Sequence, residues 1–307
     1  MVFEVLVIFL VGLTILLYNS KHLVDVLVRF SRKARLKEAF IGSFILGIGT
    51  SLPEIIDSII ASVNNSSELA LGLIIGSNIT NLFLILGTSI LITKNHPIKK
   101  TNKKDFLVLS LITMVFYVAL MNNVLSRFEG LLFLVLFVWY NFFFHKNTSL
   151  FNSTHHVSDK ELQRDGVITF ISVFSILLSA WIVVNSSLEL GSILNISPSI
   201  IGLIVLSFAT SLPELITTVI SSKKHLDLSI GNILGSNIAN LLLAGGLSAL
   251  INPLTFSSSQ ISFGLLFLLL STIGISILFN LKSKYDKIVG MGMIFVYIVF
   301  LNIVYLS

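Results

Sequence analysis

The chain has 307 residues, of which 54% are hydrophobic and 11% charged, and its formal net charge is +5. Soluble domains carry about 25% charged residues, so this composition excludes a soluble globular protein and indicates an integral membrane protein. The sequence has no cysteine, which excludes disulfides, thiolate metal sites and cysteine nucleophiles.

Ten apolar runs approach the roughly 20 residues that a membrane-spanning helix requires. The fourth and fifth runs are short, and a single re-entrant pair there is the competing interpretation. The first run has no basic region before it and no small-residue cleavage site, so we expect it to be retained rather than removed as a signal peptide. In chain order, the predicted spans are 3–19, 39–62, 69–92, 106–121, 128–144, 167–187, 198–221, 228–250, 260–280 and 287–306.

The basic residues alternate between the loops that these spans define. From the first loop to the ninth, Lys and Arg number 6, 0, 5, 1, 3, 0, 2, 0 and 3, with Lys287 counted in the ninth. Because cytoplasmic loops collect Lys and Arg, both termini are predicted outside and the loop 146–165 in the cytoplasm. The positive charge therefore marks topology and contacts with the lipid bilayer. No nucleic acid and no obligatory protein partner is predicted.

Two pairs of segments repeat between the halves of the chain. Residues 41–62 and 201–222 are identical at 11 of 22 aligned positions, and residues 70–91 and 229–250 at 12 of 22. Each half has an odd number of spans, so the second half enters the membrane from the opposite side. The sequence predicts an all-α integral membrane protein of ten transmembrane helices in two inverted five-helix repeats, an architecture found in secondary transporters. The predicted units are a first repeat over 1–145, a short cytoplasmic linker over 146–165 and a second repeat over 166–307.

Each repeat carries the motif Thr-Ser-Leu-Pro-Glu inside an apolar segment, at residues 50–54 and 210–214. A proline within a helix removes a backbone hydrogen bond and displaces the carbonyl four residues earlier, so spans 2 and 7 are predicted to be broken at the centre. An ionisable side chain at bilayer depth costs about 2.5–3.5 kcal/mol on insertion scales and indicates a functional site. Helix packing alone would explain matched apolar and small residues, but not two matched glutamates, Glu54 and Glu214.

Oxygen-bearing side chains accompany each glutamate at helical spacing. If a pseudo-two-fold axis brings the repeats together, they form one site of carboxylate, hydroxyl, amide and freed carbonyl oxygens. Ca²⁺ takes about 6–8 such oxygens, whereas Mg²⁺ loses its water reluctantly; Na⁺ accepts the same donors, and motifs without His or Cys disfavour zinc and copper. The candidate side chains are Thr50, Ser51, Ser77 and Asn81 in the first half and Ser207, Thr210, Ser211, Ser236 and Asn240 in the second.

The charge of this site suggests a mechanism. Two ionised glutamates balance one Ca²⁺, whereas the empty site holds two uncompensated charges in a low-dielectric place, which is costly. A site that moves readily when loaded but not when empty gives obligatory exchange, so Ca²⁺ and a monovalent ion are expected to alternate on overlapping ligands. Gly72 with Gly76, and Gly231 with Gly235, are spaced four apart and predict close helix contact rather than ligands.

These motifs resemble the paired α-repeats of sodium/calcium exchangers, in the calcium/cation antiporter superfamily, and the short linker is similar to that of archaeal and bacterial members. The matching residues are 49–54 with 76–78, and 209–214 with 235–237. The resemblance implies Ca²⁺/Na⁺ exchange by alternating access, with the first and sixth helices sliding across the core and no cofactor. It implies ligands from Glu54, Glu214, Thr50, Ser51, Thr210, Ser211, Ser77, Asn81, Ser236 and Asn240, with main-chain carbonyls from Gly47 and Ser207.

Two positions depart from the family pattern. Asn240 stands where many relatives carry Asp, and Asp57 has Thr217 as its counterpart in the second repeat. Asp57 is therefore either an accessory ligand or passage residue, or a hydrogen-bonded structural residue nearer the outer surface. Both departures leave the coupling ion and the stoichiometry open.

Three other functions are weighed against Ca²⁺/Na⁺ exchange. A Ca²⁺/H⁺ antiporter has the same fold, but that branch usually carries Gly-Asn rather than Thr-Ser-Leu-Pro near its glutamates. A Ca²⁺ channel would conduct without a counter-ion and would need no symmetry between halves. An intramembrane enzyme could use two glutamates as an acid–base pair, but the sequence has no metal-binding His cluster and no Ser/Lys or Asp/Asp protease signature, so the protein is predicted not to be an enzyme.

Overall fold

The computed structural model describes residues 2–33, 46–93, 100–145, 159–222, 226–281 and 286–306, and these are almost entirely helical. The predicted apolar runs are largely helical wherever they fall within these residues. Within the described parts, six helices are long and apolar enough to cross a membrane: Val2–Leu23, Ser67–Ile92, Ile171–Leu194, Ser229–Ile251, Ser259–Leu281 and Lys287–Leu306. The chain is a helical membrane protein.

The described part of the first half has one long helix, one broken helix, one helix with a π-helical turn and two further helices. Most of the predicted linker, residues 146–158, lies outside the described residues, and the next helix begins at Asp159. The elements of the first half are α1 (Val2–Lys33), α2 (Leu46–Thr50), α3 (Leu52–Val63), α4 (Ser67–Thr80), the first π turn (Asn81–Ile85), α5 (Leu86–Ile92), α6 (Lys100–Ala119), β1 (Val124–Leu125) and α7 (Arg127–His145).

The second half follows the same order of long, broken and π-containing helices, but its strand precedes the fourth helix of the repeat instead of following it. Its broken helix begins where the side chain of Ser197 accepts a hydrogen bond from the backbone N–H of Ile200, an N-cap just ahead of Pro198. Its elements are α8 (Asp159–Leu194), α9 (Pro198–Ile200), the second π turn (Ile201–Leu206), α10 (Ser207–Thr210), α11 (Leu212–Ser222), α12 (Leu226–Ile238), the third π turn (Ala239–Ala244), α13 (Gly245–Ile251), β2 (Leu254–Thr255), α14 (Ser259–Leu281) and α15 (Lys287–Leu306).

The halves share their irregularities as well as their helices. The first and third π turns fall at matched positions of the repeat and bring Asn81 and Asn240 to the same place in each. Single π-helical turns inside α-helices occur frequently at functional sites. Because both turns interrupt otherwise regular buried helices, they point to the same region as the two proline motifs.

The halves pack against each other through exchanged contacts. α1 lies along α8, the half-helix α3 contacts the third π turn and α13, and its counterpart α11 contacts the first π turn and α5. Likewise, α4 contacts α10 while α12 contacts α2. Each broken helix therefore packs on the following helix of the opposite repeat. A small antiparallel contact between β1 and β2 also joins the halves, pairing Val124 with Thr255.

Glycines allow α4 to approach the second repeat at backbone distance. A Cβ on Gly202 would lie 2.5 Å from the carbonyl oxygen of Leu69 and 3.0 Å from the Cα of Gly72. A Cβ on Gly76 would meet the carbonyl oxygen of Leu203. The predicted close contact is confirmed for Gly72 and Gly76. For Gly231, no described atom lies within 4 Å of such a Cβ. The segment around residue 42, which matches the segment around Gly202, lies outside the described residues. Close helix contact at Gly231 and Gly235 therefore stays a prediction.

The outer helices present apolar side chains outward. Leu111, Leu270 and Phe295 are 64%, 61% and 66% exposed on α6, α14 and α15. In contrast, polar side chains concentrate inside, on α3, α4, α11 and α12. This is the arrangement expected when lipid surrounds the protein and the functional groups face the interior of the helix bundle.

Candidate cation-binding site

Both motif glutamates sit just after the break in a helix. α2 ends at Thr50, Ser51 has φ −87° and ψ 7°, and α3 starts at Leu52 with Pro53 in its first turn. The second repeat has the same geometry, with φ −81° and ψ 4° at Ser211 between α10 and α11. Glu54 and Glu214 therefore occupy the first turn of a half-helix, where the helix dipole favours negative charge. The predicted breaks in spans 2 and 7 are confirmed.

Each glutamate is bound by the motif serine of the opposite repeat. Ser51 Oγ donates to Oε1 of Glu214 at 3.3 Å, and Ser211 Oγ donates to Oε1 of Glu54 at 3.1 Å. The motif threonines also contact the glutamate of the opposite repeat, Thr210 with Glu54 and Thr50 with Glu214. Both serine–glutamate contacts can form at the same time only if the two helix breaks face each other. The two motifs therefore form a single site.

The site is buried, and some of its carboxylate oxygens lack donors. Glu54 and Glu214 are both 0% exposed, and the second oxygen of each, Oε2, has no hydrogen-bond partner. Among the described residues, neither glutamate forms an ion pair. An ionised carboxylate buried without a compensating cation costs several kcal/mol, and a cation bound between the two glutamates would remove that cost.

The helices that follow each break supply neutral oxygens. Ser236 on α12 lies 3.3 Å from Thr50, oxygen to oxygen, across the two repeats. Ser77 Oγ, Asn81 Oδ1 and both amide atoms of Asn240 are buried without a hydrogen-bond partner. α3, which carries Glu54, packs on the third π turn, which contains Asn240, and α11, which carries Glu214, packs on the first π turn, which contains Asn81.

The remaining predicted positions are less directly involved. Gly47 lies in α2, ahead of the break. The Ser207 hydroxyl donates to the carbonyl of Leu203 at 2.6 Å, and the Ser207 carbonyl accepts a long backbone hydrogen bond, 3.3 Å, from Ser211. A carbonyl oxygen has two lone pairs, so that of Ser207 keeps capacity for a cation.

Asp57 lies one turn beyond Glu54 on α3 and is 0% exposed. Neither of its carboxylate oxygens has a hydrogen-bond partner, and its carboxylate is close enough to that of Glu54 for the two charges to interact. Both roles expected from the sequence, accessory ligand or passage residue and structural residue, stay predictions.

Sequence reasoning missed a layer of residues that hold the site together. Asn237 accepts a hydrogen bond from Nδ2 of Asn81 at 3.0 Å and donates to the carbonyl of Asn78 at 3.4 Å. Ser62 donates to the carbonyl of Ser248 at 2.7 Å. The signal was available, because Asn78 and Asn237 are identical residues at matched positions of the repeat, but identity did not show that they orient a neighbour rather than bind the ion.

The donors present are oxygens of carboxylates, hydroxyls, amides and carbonyls. Ca²⁺ and cations of similar size prefer this set. Within the described residues, no group of three or more Asp, Glu, His or Cys side chains is arranged to hold a metal ion. The site therefore rests on two carboxylates surrounded by neutral oxygens, a combination that suits reversible binding of a transported ion.

Comparison with known proteins agrees with this chemistry. The profile of the family described as "Sodium/calcium exchanger protein" matches residues 4–146 and 166–306. The chain belongs to this family. The resemblance inferred from the motifs is thus confirmed, and the chain is a membrane cation/Ca²⁺ antiporter from a family of transporters rather than of enzymes.

The exchanger is similar to proteins of bacteria and archaea over most of its length. It is 32% identical to Inner membrane protein YrbG of Escherichia coli over 256 residues, which is 80% of this chain and 79% of the relative. It is 26% identical to Sodium/calcium exchanger MaX1 of Methanosarcina acetivorans over 83% of this chain and 85% of the relative. A solved structure of the sodium-calcium exchanger NCX_Mj, soaked with 2.5 mM Na⁺ and 10 mM Sr²⁺, matches with a TM-score of 0.70 and 29% identity, covering 97% of this chain and 98% of that one.

Proposed function

We propose that this exchanger moves Ca²⁺ across the membrane in exchange for Na⁺, by alternating access to one site shared by its two repeats. The observation that carries the proposal is the reciprocal pairing of Ser51 with Glu214 and of Ser211 with Glu54. Because each carboxylate is held by the opposite repeat, a cation that binds both glutamates binds both repeats at once.

Electrostatics make the exchange obligatory. A single Ca²⁺ neutralises two ionised glutamates, and Na⁺ ions do the same when they replace it. The empty site would retain two buried charges, an arrangement costing several kcal/mol. The loaded transporter therefore reorients more easily than the empty one, which is the condition for antiport rather than for a leak.

The proposed ligands are the two glutamates and the neutral oxygens around them. Thr50, Ser51, Thr210 and Ser211 would contribute from the breaks, Ser77, Asn81, Ser236 and Asn240 from the following helices, and Gly47 and Ser207 through main-chain carbonyls. The buried, unpartnered oxygens of Ser77 and Asn81 support this assignment. No cofactor takes part in this scheme, since the transported ions are the only species that the oxygens need to bind.

The proposed architecture is ten spans in two inverted repeats, with both termini outside and the loop 146–165 in the cytoplasm. Matched breaks, matched π turns and exchanged helix contacts support the inverted repeat. In this scheme the two long helices at the front of each repeat, α1 and α8, lie along each other and slide across the remaining helices to expose the site to either face. The positions of Lys and Arg support the proposed orientation.

Two considerations support Na⁺ rather than H⁺ as the counter-ion. The motif around each glutamate is Thr-Ser-Leu-Pro, as in the sodium-coupled branch. The relative from Methanosarcina acetivorans is named a sodium/calcium exchanger, and NCX_Mj was soaked with Na⁺ and Sr²⁺. The hydroxyls that bind the glutamates are also ligands for Na⁺.

The test is Ca²⁺ uptake into proteoliposomes that contain the purified exchanger, with Na⁺, K⁺ or H⁺ gradients imposed one at a time. We expect Ca²⁺ uptake when the Na⁺ concentration is higher inside the vesicles than outside and the pH is equal on both sides. We expect no sustained uptake from a pH gradient alone. Uptake driven by the pH gradient would identify a Ca²⁺/H⁺ antiporter, and uptake without any counter-ion would identify a channel.

A further inference from the structure

One buried amide has no part in the cation site described above. Asn232 on α12 is 8% exposed, and neither its Oδ1 nor its Nδ2 has a hydrogen-bond partner among the described residues. Most buried side-chain polar atoms in proteins have at least one partner, and an amide that exchanges its hydrogen bonds to water for none destabilises the folded protein. Stability therefore does not explain an asparagine at this position.

Asn232 lies next to the cation site, on its cytoplasmic side in the proposed topology. Ser236 follows it by four residues and therefore shares its face of α12. The Ser236 hydroxyl is 3.3 Å from that of Thr50, the residue that ends the half-helix α2. Because α2 and α12 both follow proposed cytoplasmic loops and run toward the site, Asn232 lies one helical turn, about 6 Å, nearer to the cytoplasm than Ser236.

A second helix beside α2 carries a side chain of the same kind. Both α12 and α1 contact α2. On α1, Ser20 is 2% exposed, and its hydroxyl has no partner in the described part of the chain. Ser20 belongs to the half of α1 that ends at Lys33, which the proposed topology places toward the cytoplasm. Since α1 is one of the two helices proposed to slide, buried polar groups without partners occur on both a moving and a fixed helix beside α2.

The amide belongs to one repeat only. In the alignment of residues 70–91 with 229–250, Asn232 corresponds to Leu73, which is 0% exposed on α4. A leucine of similar size fills the matched place, so helix packing alone does not require an amide in α12. In the proposed inverted topology, Leu73 lies on the outer side of the site and Asn232 on the cytoplasmic side. The two faces of the exchanger therefore differ at this position.

We propose that Asn232 is a transit ligand of the cytoplasmic pathway, whose amide oxygen contacts Ca²⁺ as the ion passes between the two-glutamate site and the cytoplasm. The proposal rests on the proposed function, since it assumes alternating access to that site. An amide oxygen is a neutral ligand that Ca²⁺ accepts. Ion passage needs contacts that are favourable enough for entry and weak enough for release, and a single neutral oxygen meets this condition better than a third carboxylate.

Asn232→Leu tests the proposal by giving α12 the residue of the matched position. A transit ligand changes the rates at which Ca²⁺ enters and leaves but not the free energy of Ca²⁺ in the central site. We therefore expect Na⁺-driven Ca²⁺ uptake into proteoliposomes to fall by about tenfold or more, while the Kd of the purified protein for radiolabelled Ca²⁺ stays unchanged. The midpoint of thermal unfolding should rise by about 2–4 °C, because an unpartnered buried amide is removed.

Two further variants serve as controls. Ser276→Ala should transport like the wild type, because Ser276 also has a buried hydroxyl without a partner in the described structure but lies on the outer helix α14. Asn232→Ser keeps an oxygen and should retain most of the uptake. The proposal is overturned if Asn232→Leu transports as fast as the wild type, if its Ca²⁺ affinity falls as much as its rate, or if Asn232→Ser is equally slow. Absence of wild-type uptake would instead overturn the proposed function.

A chemical modification covers the case in which Asn232→Leu does not fold. Asn232→Cys introduces a single thiol, because the natural chain has no cysteine. A charged, membrane-impermeant methanethiosulfonate reagent should block Ca²⁺ transport when it is applied to everted vesicles, which expose the cytoplasmic face, and should have no effect on right-side-out vesicles. Inhibition from the outer face, or from neither face, would overturn the proposal.

Discussion

Ser211 donates a 3.1 Å hydrogen bond to Oε1 of Glu54, although 157 positions separate the two residues in the sequence. Its mirror image, from Ser51 to Glu214, spans 163 positions at 3.3 Å. The two contacts make the position of each glutamate depend on the repeat to which it does not belong. A shift of one repeat against the other would therefore alter both carboxylates together, which is a direct way to couple ion binding to reorientation.

Removing the charge of either glutamate should abolish transport. We expect Glu54→Gln and Glu214→Gln to lower Na⁺-driven Ca²⁺ uptake by about 100-fold or more, since even residues that only orient a metal ligand typically change affinity by about 10–100-fold. Uptake into proteoliposomes measures the effect, and size-exclusion chromatography verifies that the variants remain folded. Substantial Ca²⁺ uptake by either folded variant would refute the shared site.

The hydrogen bonds from Ser51 and Ser211 to the opposite glutamates should each contribute to Ca²⁺ affinity, and by similar factors. A hydrogen bond to a charged group contributes about 1.5–3 kcal/mol, which corresponds to about 10–100-fold in affinity. We therefore expect Ser51→Ala and Ser211→Ala to raise the Ca²⁺ concentration for half-maximal uptake by this order. Ser110→Ala is the matched control, because Ser110 donates to the carbonyls of Phe106 and Thr272 outside the site. If only one of the two serines affected Ca²⁺ affinity, the reciprocal arrangement would be wrong.

The contact between α4 and the second repeat should tolerate no added methyl group. A Cβ at Gly76 would meet the Leu203 carbonyl oxygen and lie 2.7 Å from Ser207 Oγ, so Gly76→Ala should destabilise the protein by about 1–3 kcal/mol, as overpacking does. Gly274→Ala is the control, since no described atom lies within 4 Å of a Cβ there. Thermal unfolding of the purified variants should show a lower midpoint for Gly76→Ala alone. An unchanged midpoint would mean that the helices are not in backbone contact.

The proposed orientation can be tested with single cysteines because the natural chain has none. Met121 is 69% exposed between α6 and α7, on the side proposed to be outside, and Lys287 is exposed at the start of α15, on the cytoplasmic side. In intact cells, a membrane-impermeant thiol reagent should label Met121→Cys but not Lys287→Cys, and permeabilised cells should show both. The reverse pattern would invert the topology, and labelling of both in intact cells would contradict it.

Much of the candidate site could be predicted because the two halves of the sequence can be aligned with each other. Glu54 and Glu214 stood out as matched ionisable residues beside matched prolines, and the breaks that the prolines predict are present at Ser51 and Ser211. The family could be inferred from the same motifs. These features depend on local backbone chemistry, which a sequence pattern records.

Contacts across the pseudo-axis could not be predicted in the same way. Helical periodicity places Ser51 near its own helix, and nothing in it shows that the hydroxyl binds Glu214 of the other repeat. The π turns at Asn81 and Asn240 were equally hidden, since the helices that contain them are buried on nearly every face and show no one-sided apolar pattern that an inserted residue would shift. The role of Asn237, which binds Asn81, depends on packing that only coordinates reveal.

The most direct measurement is an anomalous difference map from crystals of the exchanger soaked with Sr²⁺, a heavier ion of the same group as Ca²⁺. We predict one strong peak within about 2.3–2.6 Å of carboxylate oxygens of both Glu54 and Glu214, as expected for a cation of this type. A peak bound to one glutamate alone, or two separate peaks with no shared ion, would contradict a single site formed by both repeats.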